Sequence, residues 1–393
     1  MATLNIVADE NIPYVKDAFS QFGDVTTLSG RGMSSASIQH ADILLVRSVT
    51  QVNAALLAGS RVRFVGTATI GEDHIDKEYL AKEGIRFDSA PGSNADSVAD
   101  YLTAALLELG AHFGIDLPRQ RIGIIGVGNV GSRVAIRCEA LGMECVLNDP
   151  PLARLTGDPL YRSIEEIYEC DIVTIHVPLT YDGPDATFRL AERRFFEQLK
   201  PRAIFINTAR GPVMDEQCVL EGLESGELLA AILDVWNAEP DVDMRLLRKV
   251  FIGTPHIAGY SFDGKVNGTR MLHSAVARFL GKKSDWDPTP LLPQPECGFV
   301  DVEDTHIIPA ARKAVQAVYS IRTDDQAMRR LMAADACQRA EMFDRLRKEY
   351  PRRREFSRTT VRLKHPNPEV TATLQGLSFQ VASQWESATN GTS

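Results

Sequence analysis

The 393-residue sequence has no long apolar run, and every hydrophobic stretch falls short of the roughly 18 residues that a membrane-spanning helix needs. Its first residues, MATLNIVADEN, lack the basic segment and apolar core of a signal peptide. Positive charge is not in excess, because the formal net charge is −9. An acidic chain is a poor ligand for nucleic acid or an anionic membrane surface. We therefore expect a cytoplasmic protein with neither of these partners.

Cysteine is scarce, and its six positions form no CxxC pair and no spacing typical of metal ligands. The sequence therefore predicts reduced thiols, as in a cytoplasm, and no metal site. Apolar residues make up 44% of the chain and charged residues 24%, the proportions of an ordinary globular protein. At this length we expect two or three domains, each able to bury a core.

Short apolar segments alternate with helical stretches through the first 280 residues. Strands are predicted at 4–8, 43–46, 62–66, 122–125, 145–147, 172–176, 203–208, 229–235 and 250–253. Long helices are predicted at 96–109 and 264–280. Such alternation is typical of parallel sheets covered by helices. The fold class we predict is α/β, with two doubly wound parallel-sheet domains followed by a smaller α+β domain.

A glycine turn follows the strand at 122–125 and reads Gly126-x-Gly128-x-x-Gly131. Gly126 permits the tight turn, Gly128 lets the backbone approach a pyrophosphate, and Gly131 allows close packing of the helix on the strand. The helix that follows begins at Asn129 and Val130, and its N-terminus supplies amide donors and partial positive charge.

An acid, Asp149, ends the next predicted strand about 18 residues beyond Gly131. At that position a carboxylate accepts both hydroxyls of the adenosine ribose and repels the 2′-phosphate of NADP. A glycine pattern alone is common, but the strand, helix, second strand and acid occur here in order. The sequence therefore predicts an NAD site.

Three later strand ends contribute a cation, a carboxylate and an imidazole: Arg210, Glu239 and His256. Ligands of open α/β sheets bind at the carboxyl ends of the strands, so these groups can meet beside a nicotinamide. Oxidation of a 2-hydroxy acid needs a base near neutral pH, which suits His256. Glu239 would favour its imidazolium form, and Arg210 would hold the substrate carboxylate bidentately.

Two loops near the start of the chain lie at predicted strand ends, Arg47-Ser48-Val49-Thr50 and Gly66–Gly71. Ser, Thr and Gly are also ordinary turn residues, so either loop taken alone favours a purely structural interpretation. If the substrate carries a second anionic group, Arg47 with the hydroxyls of Ser48 and Thr50 would suit it.

Beyond a proline-rich linker at 284–295, helices are predicted at 310–322 and 327–348 and a strand at 359–363. The basic run Arg352–Arg354 is most simply a solvated face, and the alternative is a basic cluster that meets a phosphate. The apolar positions are regularly spaced and are expected to face a partner surface, which predicts a homodimer through this region. The alternative is a domain that packs on its own chain. These apolar positions are Ile307, Ile308, Val315, Val318 and Tyr319.

Over about its first 285 residues the chain resembles the D-2-hydroxyacid dehydrogenase family. The matching segments are GIIGVGNVG, HVPL, INTARG, LDVWNAEP and TPHIAGYS. In that family the matched arginine, glutamate and histidine are catalytic, and they fall on Arg210, Glu239 and His256. The resemblance further implies cofactor contacts, through backbone or side chain, at Val177, Thr208, Ala209, Arg210, Asp234 and Gly259.

A narrower resemblance, to members that act on a phosphorylated four-carbon acid, covers nearly the whole chain. Its segments are VADENIPY, LLVRSVTQVN, FVGTATIGEDHID, HIAGYSFDGKVNGT, AVYSIRTDDQAMR and FDRLRKEYPRRREFS. It implies substrate contacts at Ser48, Thr69 and Tyr260, and oxidation of 4-phospho-D-erythronate to 2-oxo-3-hydroxy-4-phosphobutanoate in pyridoxal phosphate (vitamin B6) biosynthesis. Dehydrogenation of 3-phosphoglycerate or another 2-hydroxy acid, and an NAD-sensing, corepressor-like binding protein, remain the alternatives.

Combining the pattern with the resemblance divides the chain into three domains and a tail. We expect a substrate-binding lid domain, an inserted Rossmann domain for NAD, and a C-terminal dimerisation domain. Their predicted boundaries are 1–95 with 260–285 for the lid, 96–259 for the NAD domain, 286–386 for the dimerisation domain and 387–393 for a disordered tail.

Overall fold

The computed structural model describes residues 3–382, so the tail expected at 387–393 lies outside the described residues. The chain forms two compact units. The first comprises Met1–Ala95 and Ser261–Gln294, and the second comprises Asp96–Tyr260 and Pro295–Ser393. No helix in the described part of the chain is long and apolar enough to cross a membrane.

The first 95 residues supply a five-stranded parallel sheet in the order β2-β1-β3-β4-β5. Every residue of β3 and β4 is buried, as expected for central strands covered on both faces. The edge strands β2 and β5 are half exposed and carry no continuous apolar run, which is why the sequence pattern missed them. The elements are β1 Leu4–Asp9, α1 Val15–Phe19, β2 Gly23–Leu28, α2 Ser35–Ile38, β3 Ile43–Val46, α3 Ala54–Leu57, β4 Phe64–Thr67, α4 Lys77–Lys82 and β5 Arg86–Asp88.

The second unit is built on a six-stranded parallel sheet in the order β11-β10-β9-β8-β6-β7. The strand order reverses between β6 and β8, and the crevice at such a switch point is where open α/β sheets bind ligands. The elements are α5 Ala95–Phe113, β6 Arg121–Ile125, α6 Asn129–Ala140, β7 Glu144–Asn148, α7 Pro150–Thr156, α8 Ile164–Tyr168, β8 Ile172–Ile175, α9 Arg193–Gln198, β9 Ala203–Asn207, α10 Glu216–Ser225, β10 Leu228–Leu233, α11 Met244–Lys249 and β11 Ile252–Gly253.

The remaining residues return to the first unit and then complete the second. Helix α12 packs its buried Leu272 and Val276 into the core around Ile6 and Phe64. A three-stranded parallel sheet, ordered β12-β13-β14, follows in the second unit. The elements are α12 Phe262–Phe279, β12 Phe299–Val302, α13 Ile307–Val318, α14 Ile321–Arg329, α15 Ala336–Lys348, β13 Thr360–Leu363, α16 Pro368–Gly376 and β14 Gln380–Ala382. The predicted α/β class with parallel sheets is confirmed.

The C-terminal region shares a core with the six-stranded sheet, which corrects one prediction. Val315 and Tyr319 are buried in the same cluster as Leu102 and Ile124, and Ile307, Ile308 and Val318 pack against it. These side chains cover their own chain rather than a partner surface. Their regular spacing reports an amphipathic helix, and spacing alone does not say which surface that helix covers.

The predicted helices at 310–322 and 327–348 have different boundaries in the structure. Helix α13 ends at Val318, because Tyr319 is extended with φ −144° and ψ 118°. Helix α14 then directs Asp325 back to the six-stranded sheet, where its Oδ1 accepts the amide of Gly253 at 2.9 Å. This bond satisfies a backbone donor at the edge strand β11, which would otherwise be open to pairing.

Candidate active site

The glycine turn after β6 has the geometry of a dinucleotide loop. Gly126 adopts φ 85°, and a Cβ atom there would lie 2.7 Å from the carbonyl oxygen of His176. A Cβ on Gly131 would lie 1.9 Å from the carbonyl oxygen of Gly126, so no other residue allows α6 to start this close to the turn. At Gly128, by contrast, a Cβ would meet no heavy atom within 4 Å, which leaves an open cradle beside the backbone.

The start of α6 suits an anion, and the end of β7 suits a ribose. Helix α6 begins at Asn129 and Val130, and its first amides, like those of any helix, have no intrahelical acceptor. No side chain caps them either, among the described residues. Asp149 is half-buried after β7, where its Oδ2 accepts the amide of Val127 at 2.8 Å and its Oδ1 caps α7 through Leu152 at 3.0 Å. These bonds hold a carboxylate against the glycine turn. The residues present therefore fit a dinucleotide with its pyrophosphate in the Gly128 cradle.

The ends of β8 and β9 are tied together through His176, a residue that the sequence analysis did not single out for this purpose. Its Nε2 lies 3.0 Å from the hydroxyl of Thr174 and its Nδ1 lies 3.3 Å from that of Thr208. Burial lowers the pKa of His176 to about 3, so the ring is neutral at physiological pH. It cannot act as a titrating base there, and it fixes Thr208 next to Val177.

The loop that carries Arg210 is organised by the buried Asn207, which sequence reasoning missed. Asn207 Oδ1 accepts the amide of Ala209 at 2.9 Å, and its Nδ2 donates to the carbonyl of Arg210 at 3.0 Å. A Cβ on Gly211 would lie 2.0 Å from the carbonyl oxygen of Trp236. The glycine therefore lets the loop after β9 touch the loop after β10, where Glu239 lies.

Asp234 joins the ends of β10 and β11. Its Oδ1 accepts the hydroxyl of Thr254 at 2.6 Å and the amide of Ile257 at 2.7 Å, and its Oδ2 accepts the amide of Ala258 at 2.9 Å. The side chain is almost fully buried, and a buried carboxylate needs such donors. Asp234 thereby fixes the turn between His256 and Gly259.

His256 and Glu239 form a hydrogen-bonded pair. His256 Nδ1 and Glu239 Oε2 are 2.7 Å apart, and Glu239 Oε1 accepts the amide of Trp236 at 2.9 Å. Burial would raise the pKa of Glu239. The pKa is nevertheless held below its usual value by the charge and hydrogen bond of His256, by the Trp236 amide and by the charge of Arg347. The carboxylate is therefore ionised, and an ionised carboxylate only accepts, so Nδ1 donates to it and Nε2 is the ring nitrogen left for a substrate.

The backbone of His256 lies in the left-handed region, with φ 58°. A non-glycine residue pays of order 1 kcal/mol or more for that conformation, and such residues concentrate at functional sites. The turn is held from both sides, by Asp234 and by the amide of His256 itself, which donates to the carbonyl of Asp234 at 2.7 Å. The imidazole is 30% exposed, so a substrate can reach it.

The C-terminal region also contributes to this turn, and the solvated interpretation of the basic run holds for the exposed Arg352 but is wrong for Arg353 and Arg354. Arg353 and Arg354 are each only 8% exposed. The guanidinium of Arg353 donates to the hydroxyl of Ser97 and to the carbonyl of Ala258, both at 2.5 Å. Tyr260, just beyond, accepts a hydrogen bond from Arg347 at 3.1 Å. A basic triplet looks the same in sequence whether it is solvated or buried against carbonyls.

The remaining candidates, Arg47, Ser48 and Thr69, belong to the first unit. Ser48 is exposed and Arg47 half-buried directly after β3. Thr50, which we expected to offer its hydroxyl to an anion, is buried and donates that proton to the carbonyl of Gly30 at 3.0 Å. Thr69 donates to the carbonyl of Gly71 at 3.0 Å and lies 2.7 Å from the hydroxyl of Thr67.

Two family sequence models match the chain. Residues 103–258 match the NAD-binding domain of the D-isomer-specific 2-hydroxyacid dehydrogenases. Residues 291–377 match a domain of unknown function. The first match contains the glycine turn, Asp149 and the loops that carry Arg210, Glu239 and His256, and NAD is the cofactor of this unit.

Curated relatives match over nearly the whole chain. The chain is 43% identical to the erythronate-4-phosphate dehydrogenase of Cronobacter sakazakii over 96% of this chain and 98% of that protein. It is 44% identical to the enzyme of the same name from Shigella dysenteriae, over 90% of this chain and 93% of that protein.

Among solved structures, the NAD⁺-bound 3-phosphoglycerate dehydrogenase of Entamoeba histolytica superposes with a TM-score of 0.61 at 24% identity. That superposition covers 71% of this chain and 96% of that protein, and at this identity it establishes the fold alone. The identity to the curated relatives is far higher and extends through the C-terminal region. The chain belongs to the erythronate-4-phosphate dehydrogenase family.

Proposed function

We propose that this protein oxidises the C2 hydroxyl of 4-phospho-D-erythronate, with NAD, to give 2-oxo-3-hydroxy-4-phosphobutanoate, a step of pyridoxal phosphate biosynthesis. The observation that carries the proposal is the His256–Glu239 pair, 2.7 Å apart, at the edge of an NAD-binding sheet in a chain of this family. NAD, when bound, accepts the hydride that leaves C2. The remaining work, proton removal and substrate orientation, falls to side chains of this chain.

In this proposal His256 is the base and Glu239 its orienting partner. The free Nε2 of His256 takes the proton of the C2 hydroxyl, and the charge of Glu239 stabilises the imidazolium that results. Arg210 holds the C1 carboxylate with its planar fork and favours the developing carbonyl dipole. The neutral His176 takes no part in proton transfer.

The proposed cofactor contacts follow the second unit's strand ends. We assign the pyrophosphate to Gly126–Gly131 and the adenosine ribose to Asp149. The remaining contacts lie at Val177, Thr208, Ala209, Arg210, Asp234 and Gly259. The proposed substrate contacts are Tyr260 in this unit and Arg47, Ser48 and Thr69 in the first.

The assignment of Asp149 predicts a strong preference for NAD. A 2′-phosphate would approach a carboxylate that already accepts the Val127 amide at 2.8 Å, and the two anions would repel. We expect Asp149→Ser to weaken NAD binding by about 10-fold, because a charge-assisted hydrogen bond is lost. The preference for NAD over NADP should become smaller. Initial rates with both cofactors measure this. Wild-type protein that used NADP as well as NAD would contradict the assignment.

A coupled assay tests the proposed activity. Purified protein is given 4-phospho-D-erythronate and NAD, with a 2-oxo acid added as a candidate electron acceptor, and the 2-oxo product is trapped and quantified. We expect turnover of this substrate to exceed that of 3-phosphoglycerate. Preference for 3-phosphoglycerate would assign the neighbouring activity instead. No turnover of any 2-hydroxy acid would point to a binding protein.

We further infer that the protein is a cytoplasmic homodimer that associates through its C-terminal region. One face of the small sheet packs in the core through Val300 and Val361, whereas the other face presents Phe299, which is 64% exposed. Arg362 covers part of that ring at 5.2 Å and pairs with Asp301 on the same face. An open sheet face with an exposed aromatic residue supports association there.

Light scattering tests this association. We expect a mass of twice the 43.3-kDa chain for the wild type and of one chain for Phe299→Asp, which places a charge in the contact. Leu155→Asp is the matched control, because Leu155 is 80% exposed on a different part of the second unit and should leave the dimer intact. A monomeric wild type, or a dimeric Phe299→Asp, would refute the inference.

A further inference from the structure

Helix α15 brings a cation from the C-terminal region to the loop that carries His256. Arg347 Nη2 donates to the hydroxyl of Tyr260 at 3.1 Å, and its guanidinium carbon lies 5.7 Å from the centre of the Tyr260 ring. Both side chains are half-buried, so each retains a surface that a small molecule can contact. Tyr260 follows His256 by four residues, and its amide donates to the carbonyl of Ile257 at 2.8 Å.

The guanidinium of Arg347 retains unused hydrogen-bonding capacity. Its Nε is buried and, among residues 3–382, has no hydrogen-bond partner. Burial would lower the pKa of Arg347, but Tyr260, Glu239 and Asp234 raise it above its usual value, so the group is charged. Glu239 already accepts hydrogen bonds from His256 and the Trp236 amide. Asp234 already accepts them from the Thr254 hydroxyl and two backbone amides. An unsatisfied buried donor on a charged group calls for an acceptor.

We propose that Arg347 binds the phosphoryl group of the substrate and thereby sets the specificity for a phosphorylated acid. This rests on the proposed function. The substrate carries one carboxylate charge and close to two phosphate charges at neutral pH. Its carboxylate adjoins the reacting carbon and belongs to Arg210, whereas the phosphoryl group lies two carbons further on. Arg347 offers that dianion a planar fork beside the hydroxyl of Tyr260.

The test compares phosphorylated and unphosphorylated substrates. Arg347→Met keeps the length of the side chain and removes the charge. We expect it to lower kcat/KM for 4-phospho-D-erythronate by about 10- to 100-fold, the effect of losing a hydrogen bond to a charged group. For D-erythronate the loss should be at least about 10-fold smaller, because the contact with Tyr260 is lost for both substrates but the phosphate contact only for the phosphorylated one. If both substrates lose activity equally, Arg347 only supports Tyr260 and the proposal fails.

Two further variants keep the comparison informative. Arg347→Lys retains the charge without the fork, so it should recover part of the preference, and it serves if Arg347→Met does not fold. Arg345→Gln removes an exposed arginine of the same helix and should leave both rates unchanged. A loss of phosphate preference in Arg345→Gln would mean that the general charge of α15, and not Arg347, is responsible.

Binding of inorganic phosphate separates this proposal from the proposed activity. Phosphate should inhibit oxidation of D-erythronate competitively in the wild type, and about 10-fold more weakly in Arg347→Met. If the protein instead prefers 3-phosphoglycerate, the proposed function fails. The ratio of kcat/KM for 3-phosphoglycerate to kcat/KM for D-glycerate, compared between wild type and Arg347→Met, then still tests the role of Arg347. Equal inhibition of wild type and variant would overturn the role of Arg347 whichever acid is oxidised.

Discussion

Replacing His256 with Asn is expected to lower kcat by about 10²- to 10⁴-fold, the usual loss when a general base is removed. Asn is the appropriate substitution because the backbone at this position has φ 58°, and Asn accepts the left-handed conformation better than Ala. The substitution leaves the Asp234 bonds to Ile257 and Ala258 in place, so the turn should persist. Steady-state oxidation of 4-phospho-D-erythronate measures the loss. A decrease smaller than about 10-fold would exclude His256 as the base.

Cofactor binding provides the control for this variant. The glycine turn and Asp149 lie at the ends of other strands, so NAD should raise the unfolding temperature of His256→Asn as much as that of the wild type. A variant that lost both turnover and NAD-induced stabilisation would show that the turn had collapsed. The kinetic result would then carry no information on proton transfer.

Glu239→Gln tests the partner of the base. The single acceptor oxygen of the amide can keep the bond to Nδ1, whereas its NH2 group takes the place of the oxygen that accepts the Trp236 amide. The substitution also removes the charge that favours the imidazolium form. In the wild type Glu239 is ionised throughout the useful pH range, since its pKa is already below the usual value. Loss of the charge makes the imidazole deprotonate more easily, so the rising limb of the kcat profile should move to lower pH. An unmoved profile would mean that Glu239 does not act on the base.

The parts of the site that the sequence could predict depend on local geometry. The glycine turn is specified within six residues, because Gly126 adopts φ 85° and Gly131 lies against the carbonyl of Gly126 in that same turn. Arg210, Glu239 and His256 each follow a buried strand, and parallel strands of one sheet bring their carboxyl ends to one edge. Periodicity and spacing therefore placed the NAD fingerprint and the three chemical groups in one unit.

The parts that sequence could not predict depend on contacts between distant segments. Arg353 reaches Ser97 and Ala258 from more than 90 residues away, and nothing in the triplet Arg352–Arg354 distinguishes it from a solvated cluster. His176 looks like an ordinary strand-end residue until its partner Thr208, at the end of another strand, is known. Tyr319 lies at an amphipathic position and is buried in one cluster with residues of α5 and β6, far upstream in the chain.

This distribution explains why the C-terminal region belongs to the site as well as to the core. Its helices pack on the six-stranded sheet through Asp325 and Tyr319. Two of its arginines, Arg347 and Arg353, make hydrogen bonds at the turn that follows His256. The stability of the fold and the geometry of the reacting groups are thus coupled, because the same segment supplies both.

Two of the three glycines in the NAD turn are expected to respond differently to alanine. In Gly131→Ala the new methyl group would meet the carbonyl oxygen of Gly126 at 1.9 Å, and backbone cannot move aside as a flexible side chain can. We expect a loss of about 1–3 kcal/mol in the free energy of unfolding even without NAD, because α6 must shift away from β6. Thermal unfolding of the NAD-free protein measures this loss.

Gly128→Ala should instead preserve the fold and remove the cofactor. Nothing lies within 4 Å of its added methyl group, so the NAD-free unfolding temperature should equal that of the wild type. The methyl group occupies the cradle where the pyrophosphate must approach the backbone, and affinity for NAD should fall by about 100-fold. At an NAD concentration of about 100 times the wild-type Kd, the wild type gains about 2.7 kcal/mol and the variant loses most of that gain. Gly32→Ala, whose methyl group meets only Ser29 at 3.7 Å, is the control. Normal NAD stabilisation in Gly128→Ala would place the pyrophosphate elsewhere.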